Sequence, residues 1–113
     1  MMKTASWGMA ALSAAWLGMA ALPVAAADLA AGQAKAKEVC MACHGMDGNA
    51  PSSEFPKIGG QYHDYLAKAL RDYKSGARKN PIMAGFAGTL TARDIENLAA
   101  WFASQPSQLK STY

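Results

Sequence analysis

Both cysteines of this 113-residue chain lie within four consecutive residues, and a histidine directly follows the second one. The segment is Cys40-Met41-Ala42-Cys43-His44, and the chain has one other histidine, His63. Thiols form disulfides, act as nucleophiles and bind metals, and imidazole is a common metal ligand. This pentapeptide is therefore where the sequence concentrates its reactive groups.

A C-x-x-C-H segment is compatible with four kinds of site. A thiol–disulfide redox motif belongs at the start of a helix in a βαβ unit, whereas these cysteines follow a helical pattern and no strand pattern is visible. A structural disulfide would close a very short loop and would stabilise little. A zinc site could combine Cys40, Cys43, His44 and His63, but the adjacent Cys43 and His44 would strain the backbone around a tetrahedral ion.

Covalent attachment of haem is the fourth kind of site, and the spacing favours it. Each thiol adds to one vinyl group of the porphyrin, and the residue after the second cysteine is then carried beneath the ring. We therefore expect one covalent haem c held by Cys40 and Cys43, with His44 as an axial ligand of the iron. A porphyrin would also supply the core that so small a domain otherwise lacks.

The second axial ligand is predicted by elimination among the seven methionines. Four lie in the first 19 residues, and Met41 and Met46 are tethered on the His44 side. Met83 remains, in the segment NPIM, which we expect to be a loop that can cross the opposite face. Iron held by His and Met is an electron-carrier arrangement. Core packing by Met83 and ligation by His63 are the alternatives.

The N-terminal segment predicts export. Lys3 is the only charge before Asp28, and the apolar stretch between them ends in three alanines. This pattern is typical of a secretory signal peptide. We expect residues 1–27 to be cleaved and residues 28–113 to form one domain in the periplasm. An uncleaved membrane anchor is the alternative, because residues 7–24 just reach the length of a spanning helix.

The charge of the expected mature chain is mild. Ten cations and eight acids give +2 over residues 28–113, which does not indicate a nucleic-acid-binding protein. Residues 57–79 hold a local excess of +4, which we interpret as steering towards an acidic redox partner or as a solvated helix face. The cations there are Lys57, Lys68, Arg71, Lys74, Arg78 and Lys79, against Asp64 and Asp72.

Three helices follow from the hydrophobic pattern, so the predicted class is all-α. The first covers residues 29–40, and the second covers 61–75 with an apolar stripe that we begin at Tyr62. The third begins at Thr91, where Asp94 completes a capping box. The glycine-rich segments 45–60 and 76–90 are expected to be loops around a large ligand.

The stretches CMACHGMDGN, FPKIGGQYHDYLAKALRDYKSGAR, NPIM and LTARDIENLAAWFASQ resemble class I c-type cytochromes. The chain is most similar to the small bacterial periplasmic members and to one half of the di-haem members. The resemblance implies three to five helices wrapped around the haem. It also implies that the first and last helices cross, with Gly32 and Ala36 facing Leu98 and Trp101, and that the carbonyl of Pro56 accepts the N–H of the iron-binding histidine.

The resemblance further implies a function without bond-making chemistry, so we expect a one-electron carrier and not an enzyme. We expect a soluble periplasmic monomer that docks transiently with redox partner proteins, binds no nucleic acid and has no membrane span in its mature form. The alternative is a haem-bearing electron-transfer subunit or sensor that is held in a membrane complex.

Overall fold

Five helices and no strand make up the described part of the chain, which is residues 1–21 and 26–109 of a computed structural model. The all-α prediction is confirmed. Three helices match the predicted ones, and two short helices lie where we expected loops. The helices are α1 (Leu29–Val39), α2 (Met41–His44), α3 (His63–Ser75), α4 (Pro81–Ala87) and α5 (Ala92–Ala103).

The described residues before Asp28, which are 1–21 and 26–27, add no regular element to this fold. Residues 1–21 have neither helix nor strand and their side chains are exposed. Residues 22–25 of the predicted signal peptide, and residues 110–113 of the predicted domain, lie outside the described residues. Across the described ranges, no helix combines the length and the apolar character that crossing a membrane requires.

The crossing of α1 and α5 depends on small residues. A methyl group added at Gly32 would lie 2.1 Å from the carbonyl oxygen of Asn97 and 3.0 Å from Cβ of Trp101. One turn further on, Ala36 is fully buried in the cluster that contains Leu98. The contacts expected at Gly32 and Ala36 are therefore present, and Asn97 is an additional partner.

Helix α3 presents apolar residues on two faces. Leu66 and Ala67 are buried against the core that α5 contributes. Ala67 was expected on the polar side, and this was wrong, since it is only 2% exposed. Tyr62 was expected to begin the apolar stripe, but it precedes the helix as its N-cap and is 83% exposed. Gly76 ends the helix with a left-handed φ of 83°, as expected.

The start of α5 has the expected capping box. The hydroxyl of Thr91 accepts from the backbone N–H of Asp94 at 3.0 Å, and the Asp94 carboxylate accepts from the backbone N–H of Thr91 at 2.9 Å. These reciprocal bonds satisfy two backbone donors that a helix start otherwise leaves free. They fix the first turn of the helix whose buried face is Ile95, Asn97, Leu98, Ala99 and Phe102.

Candidate cofactor site

An apolar cavity of about 350 Å³ lies between the cysteine segment and helices α3, α4 and α5. The structure brings all five residues that the sequence singled out to its walls. Cys40, Cys43 and His44 line it from one segment, Pro56 lines it from the following loop, and Met83 lines it from α4.

The spacing of the two cysteines is produced by one helical turn. Cys40 ends α1, where its backbone N–H donates to Ala36 at 2.9 Å, and its own carbonyl accepts from the N–H of His44 at 3.0 Å. Met41–His44 then forms α2. The side chains of Cys40, Cys43 and His44 therefore lie within about one helical turn of each other beside the cavity.

The thiols are not bonded to each other. Burial raises the pKa of the Cys40 thiol to about 11, and the neighbouring Cys43 adds to the rise. Over the ranges that the structure describes, no group of three or more His, Cys, Asp or Glu side chains is arranged to hold a metal ion.

The imidazole of His44 is oriented by a backbone carbonyl. Its Nδ1 lies 2.8 Å from the carbonyl oxygen of Pro56. A carbonyl can only accept, so Nδ1 carries the proton and donates it. With the donated proton on Nδ1, Nε2 is the ring nitrogen that can offer a lone pair to a metal ion, which is the usual arrangement of a metal-binding histidine.

Glycines fix the loop that carries Pro56. The carbonyl of Gly48 accepts from the N–H groups of Ile58 at 2.7 Å and Gly59 at 3.0 Å, and Gly60 donates to Phe102 of α5 at 2.8 Å. Gly48 has a φ of 76°, and a methyl group there would lie 2.6 Å from the nitrogen of Gly59. Only glycine fits this position, so the loop returns to α5 along one defined path.

Met83 lies in a helix, which corrects the expectation of a loop. The side chain of Asn80 accepts from the N–H groups of Ile82 and Met83 at 3.0 Å each, and Pro81 occupies the first turn. Asn followed by Pro is a recognised start for a helix. We missed this signal because α4 has only seven residues, too few for an apolar period to show.

His63 lies outside the set of residues that line the cavity. Its Nε2 is 3.3 Å from a carboxylate oxygen of Glu96, and its Nδ1 is 3.1 Å from Asp64. The other oxygen of Glu96 accepts from Arg71 at 2.9 Å. His63 thus belongs to a polar cluster between α3 and α5.

Two further parts of the site were not found from the sequence. The indole N–H of Trp101 donates to the carbonyl of Met46 at 3.0 Å and so ties the segment after His44 to α5. Arg78, which we had counted only among the surface cations, lines the cavity together with Tyr65 and Tyr73. Sequence spacing could show neither contact, because both depend on how separate segments meet.

Comparison with known proteins identifies the family. Residues 27–102 match the family model described as cytochrome c oxidase, cbb3-type, subunit III. The chain is a c-type cytochrome of this family. Cytochrome c4 of Pseudomonas aeruginosa is 51% identical over 89 residues, which are 79% of this chain and 44% of that protein. Cytochrome c-554(548) of Halomonas halodenitrificans is 37% identical over 83 residues, which are 71% of this chain and 99% of that one.

A solved structure agrees with the fold of this cytochrome. Reduced recombinant cytochrome c4 from Pseudomonas stutzeri superposes with a TM-score of 0.66 at 44% identity, covering 72% of this chain and 47% of that one. The cytochrome spans about half the length of the cytochrome c4 proteins that it matches. It is a class I c-type cytochrome that resembles one half of the di-haem members.

Haem c is the cofactor of this family, and the cavity fits it. The walls are largely apolar, as a porphyrin requires, and two thiols stand at the C-x-x-C-H spacing beside an imidazole with a free Nε2. A thioether, the other ligand typical of electron-transfer haems, is on the same cavity.

Proposed function

We propose that this cytochrome is an electron carrier that accepts and passes one electron at a time. The observation that carries the proposal is that Cys40, Cys43, His44 and Met83 share one apolar cavity. Haem c, when bound, supplies an iron that cycles between two oxidation states. Cys40 and Cys43 would hold the group through thioether bonds, and His44 and Met83 would bind the iron.

The surrounding residues adapt the site to this task. The Pro56 carbonyl holds the proton of the imidazole on Nδ1 and keeps Nε2 available to iron. A methionine ligand raises the reduction potential of a haem. The walls include the apolar side chains of Leu66, Leu98 and Phe102, which would disfavour water beside the iron. We assign no catalytic residue and propose that the cytochrome is not an enzyme.

We further propose that the protein is exported. The support is the pattern of residues 1–27, and the proposed product is a periplasmic monomer that begins at Asp28 and docks transiently with redox proteins. N-terminal sequencing of protein recovered from the periplasm tests this. A chain that keeps residues 1–27 and fractionates with membranes would contradict it and would favour the haem-bearing subunit of a membrane complex.

The thioether bonds are tested on protein made in cells that mature c-type cytochromes. We expect the denatured protein to keep its haem colour on a gel and to exceed the mass of the polypeptide by one haem. Cys40→Ser and Cys43→Ser should each weaken this retention, because each removes one bond. Met41→Ala, between the two cysteines, is the control and should retain the haem fully. Extraction of the porphyrin by acidified organic solvent would contradict the proposal.

A further inference from the structure

Asn97 is a polar side chain within the buried face of α5. It is only 6% exposed, and its neighbours on that face include Ile95, Leu98 and Phe102. A buried amide lowers stability unless its polar atoms are hydrogen-bonded. Oδ1 of Asn97 accepts from the backbone N–H of Asp28 at 2.8 Å, at the start of α1. Neither haem binding nor electron transfer accounts for this bond.

Both helices hold the backbone nitrogen of Asp28 in place. The Asp28 carboxylate accepts from the N–H of Ala31 at 3.0 Å, and the Asp28 carbonyl accepts from the N–H of Gly32 at 2.9 Å. Gly32 in turn lies against α5, because a methyl group at Gly32 would be 2.1 Å from the carbonyl oxygen of Asn97. The position of the Asp28 nitrogen beside Asn97 is therefore fixed by contacts that lie at Asp28 or after it.

The proposed removal of residues 1–27 changes the chemistry of this nitrogen. Hydrolysis of the Ala27–Asp28 peptide bond consumes one water molecule and leaves a carboxylate on Ala27 and an amine on Asp28. An α-amine has a pKa of about 7.7–8.0, so near neutral pH it is mostly an ammonium with three N–H donors. A hydrogen bond from an ionised donor is about twice as strong as a neutral one. The bond to Asn97 should therefore become stronger when the signal peptide is removed.

We propose that Asn97 is the binding site for the amino terminus that processing creates, and that its Oδ1 accepts a hydrogen bond from the α-ammonium of Asp28. Processing then strengthens the contact between the start of α1 and α5. This inference rests on the proposed cleavage before Asp28 and goes beyond the proposed electron transfer.

The charges near the ammonium act in both directions. The carboxylates of Asp28 and of Asp94, at the start of α5, favour it. Arg93 and Lys35, which interacts with Asp94 from α1, oppose it, as does the positive end of the α1 dipole. Solvent reaches all four of these side chains, so their effects are screened, whereas Oδ1 of Asn97 is in direct contact with the nitrogen. The hydrogen bond therefore decides the sign, and folding should raise the pKa of the amine.

The reactivity of the amino terminus tests the contact. Only the unprotonated amine reacts with an acylating ester, and mass spectrometry of the N-terminal peptide of the haem-loaded protein gives its rate near pH 7. Asn97→Leu removes the acceptor and should speed acylation by about threefold or more, which is about half a pKa unit. Asn97→Asp puts a negative charge at the same place and should slow acylation. A merely structural role of Asn97 does not predict opposite changes, and Asn97→Asp decides the question if the leucine variant does not fold.

A chain that retains Ala27 is the matched control. It also lacks the Ala26 carbonyl, to which Arg93 donates at 3.1 Å in the full chain. Its amine, however, lies one residue before the nitrogen that Asn97 binds. Asn97→Leu and Asn97→Asp should therefore change the acylation rate of this control much less. Equal changes in both chains would overturn the inference, because the variants would then act through the fold.

The same two chains give a stability readout. A group whose pKa is raised by folding contributes stability that is complete below its unfolded value, here about 7.7–8.0, and is lost as the pH rises through its folded value. In urea at about pH 6.5, well below that unfolded value, the chain that begins at Asp28 should have a higher unfolding midpoint than the chain that begins at Ala27. The difference should shrink as the pH is raised to about 9.5, and Asn97→Leu should remove this pH dependence.

The outcomes separate this inference from the proposals on which it rests. A natural chain that begins at Asp28, with an acylation rate that neither Asn97 variant changes, would overturn the inference and leave export and electron transfer intact. Processing at another residue would overturn the assigned amino terminus together with this inference, and would leave the haem site untouched.

Discussion

His44 and Met83 differ in how firmly the fold holds them. The His44 ring is fixed by its 2.8 Å contact with Pro56, in a loop whose path glycines determine. Met83 is positioned by its backbone, which Asn80 caps, while its unbranched side chain has three rotatable bonds. Replacement of Met83 should therefore change the iron site without unfolding the protein.

Met83→Ala tests the distal ligand. Thioether sulfur favours ferrous iron, so we expect its loss to lower the reduction potential. The weak red absorption of sulfur on ferric iron should disappear, and the iron should become open to carbon monoxide or cyanide. Met41→Ala is the control, because Met41 is exposed and does not line the cavity.

The same experiment could also exclude Met83 as the distal ligand of the iron. If the natural protein lacked the red absorption and Met83→Ala kept its reduction potential, Met83 would only fill space in the core. His63 would then be the next candidate, and its substitution should open the iron instead. Its contacts with Asp64 and Glu96 make us expect no such effect.

At the scale of elements, the crossing of α1 and α5 is sensitive to a single methyl group. A Cβ at Gly32 would overlap the Asn97 carbonyl, so the helices must separate. We expect Gly32→Ala to lower the free energy of unfolding by about 1–3 kcal/mol, as overpacked cores do. Gly85→Ala in α4 meets nothing within 4 Å and should be neutral or stabilise by up to about 1 kcal/mol. Urea unfolding of the haem-loaded proteins measures both, and equal effects would contradict the close crossing.

The capping box of α5 makes the free energy of unfolding depend on pH at the acidic end of the range. The backbone hydrogen bond from Thr91 is the main cause that holds the pKa of Asp94 below its usual value. A lowered folded-state pKa contributes stability above the unfolded value, near 4, that is lost as the pH falls through the folded value. Asp94→Asn should therefore lose less stability than the natural chain between pH 6 and pH 3 in thermal unfolding. Thr91→Ala should cost about 1 kcal/mol at neutral pH.

The long helices, and the cysteine–histidine segment that the structure places at the cavity, could be predicted from the sequence because their signals are local. The Thr91–Asp94 box and the Cys40–His44 spacing each lie within five residues. Helix α4 could not be found by periodicity, since it has seven residues. The burial of Ala67 was missed because α3 has two apolar faces, and an alanine is equally compatible with a solvent-facing position.

At the scale of the whole molecule, the cations of residues 57–79 serve different purposes. Lys74 donates to the carbonyl of Leu90, Lys68 pairs with Asp72, and Arg71 bonds Glu96. Arg78 lines the cavity. The expected docking role is therefore tested best at Lys79, where a substitution disturbs neither the cavity wall nor these contacts.

Small oxidants of opposite charge test electrostatic steering without a known partner. We expect Lys79→Glu to slow oxidation of the reduced protein by ferricyanide and to speed oxidation by a cationic cobalt complex, since the local field becomes less positive. Both differences should shrink as salt is added. Lys37→Glu, which makes the same charge change on α1, should alter these rates less. Equal effects of the two variants would contradict steering by the cations of residues 57–79. These cations would then simply form a solvated helix face.

The hydrogen bond between the Asp28 backbone and the side chain of Asn97 joins positions 69 residues apart. A ribosome makes the second partner 69 residues after the first, so the α1–α5 crossing cannot form until α5 has been made. Contacts this distant in sequence also close slowly. The segment between Asp28 and α5 consequently lacks this crossing until α5 has been translated. An open chain of this kind is what a secretion channel that threads unfolded protein needs.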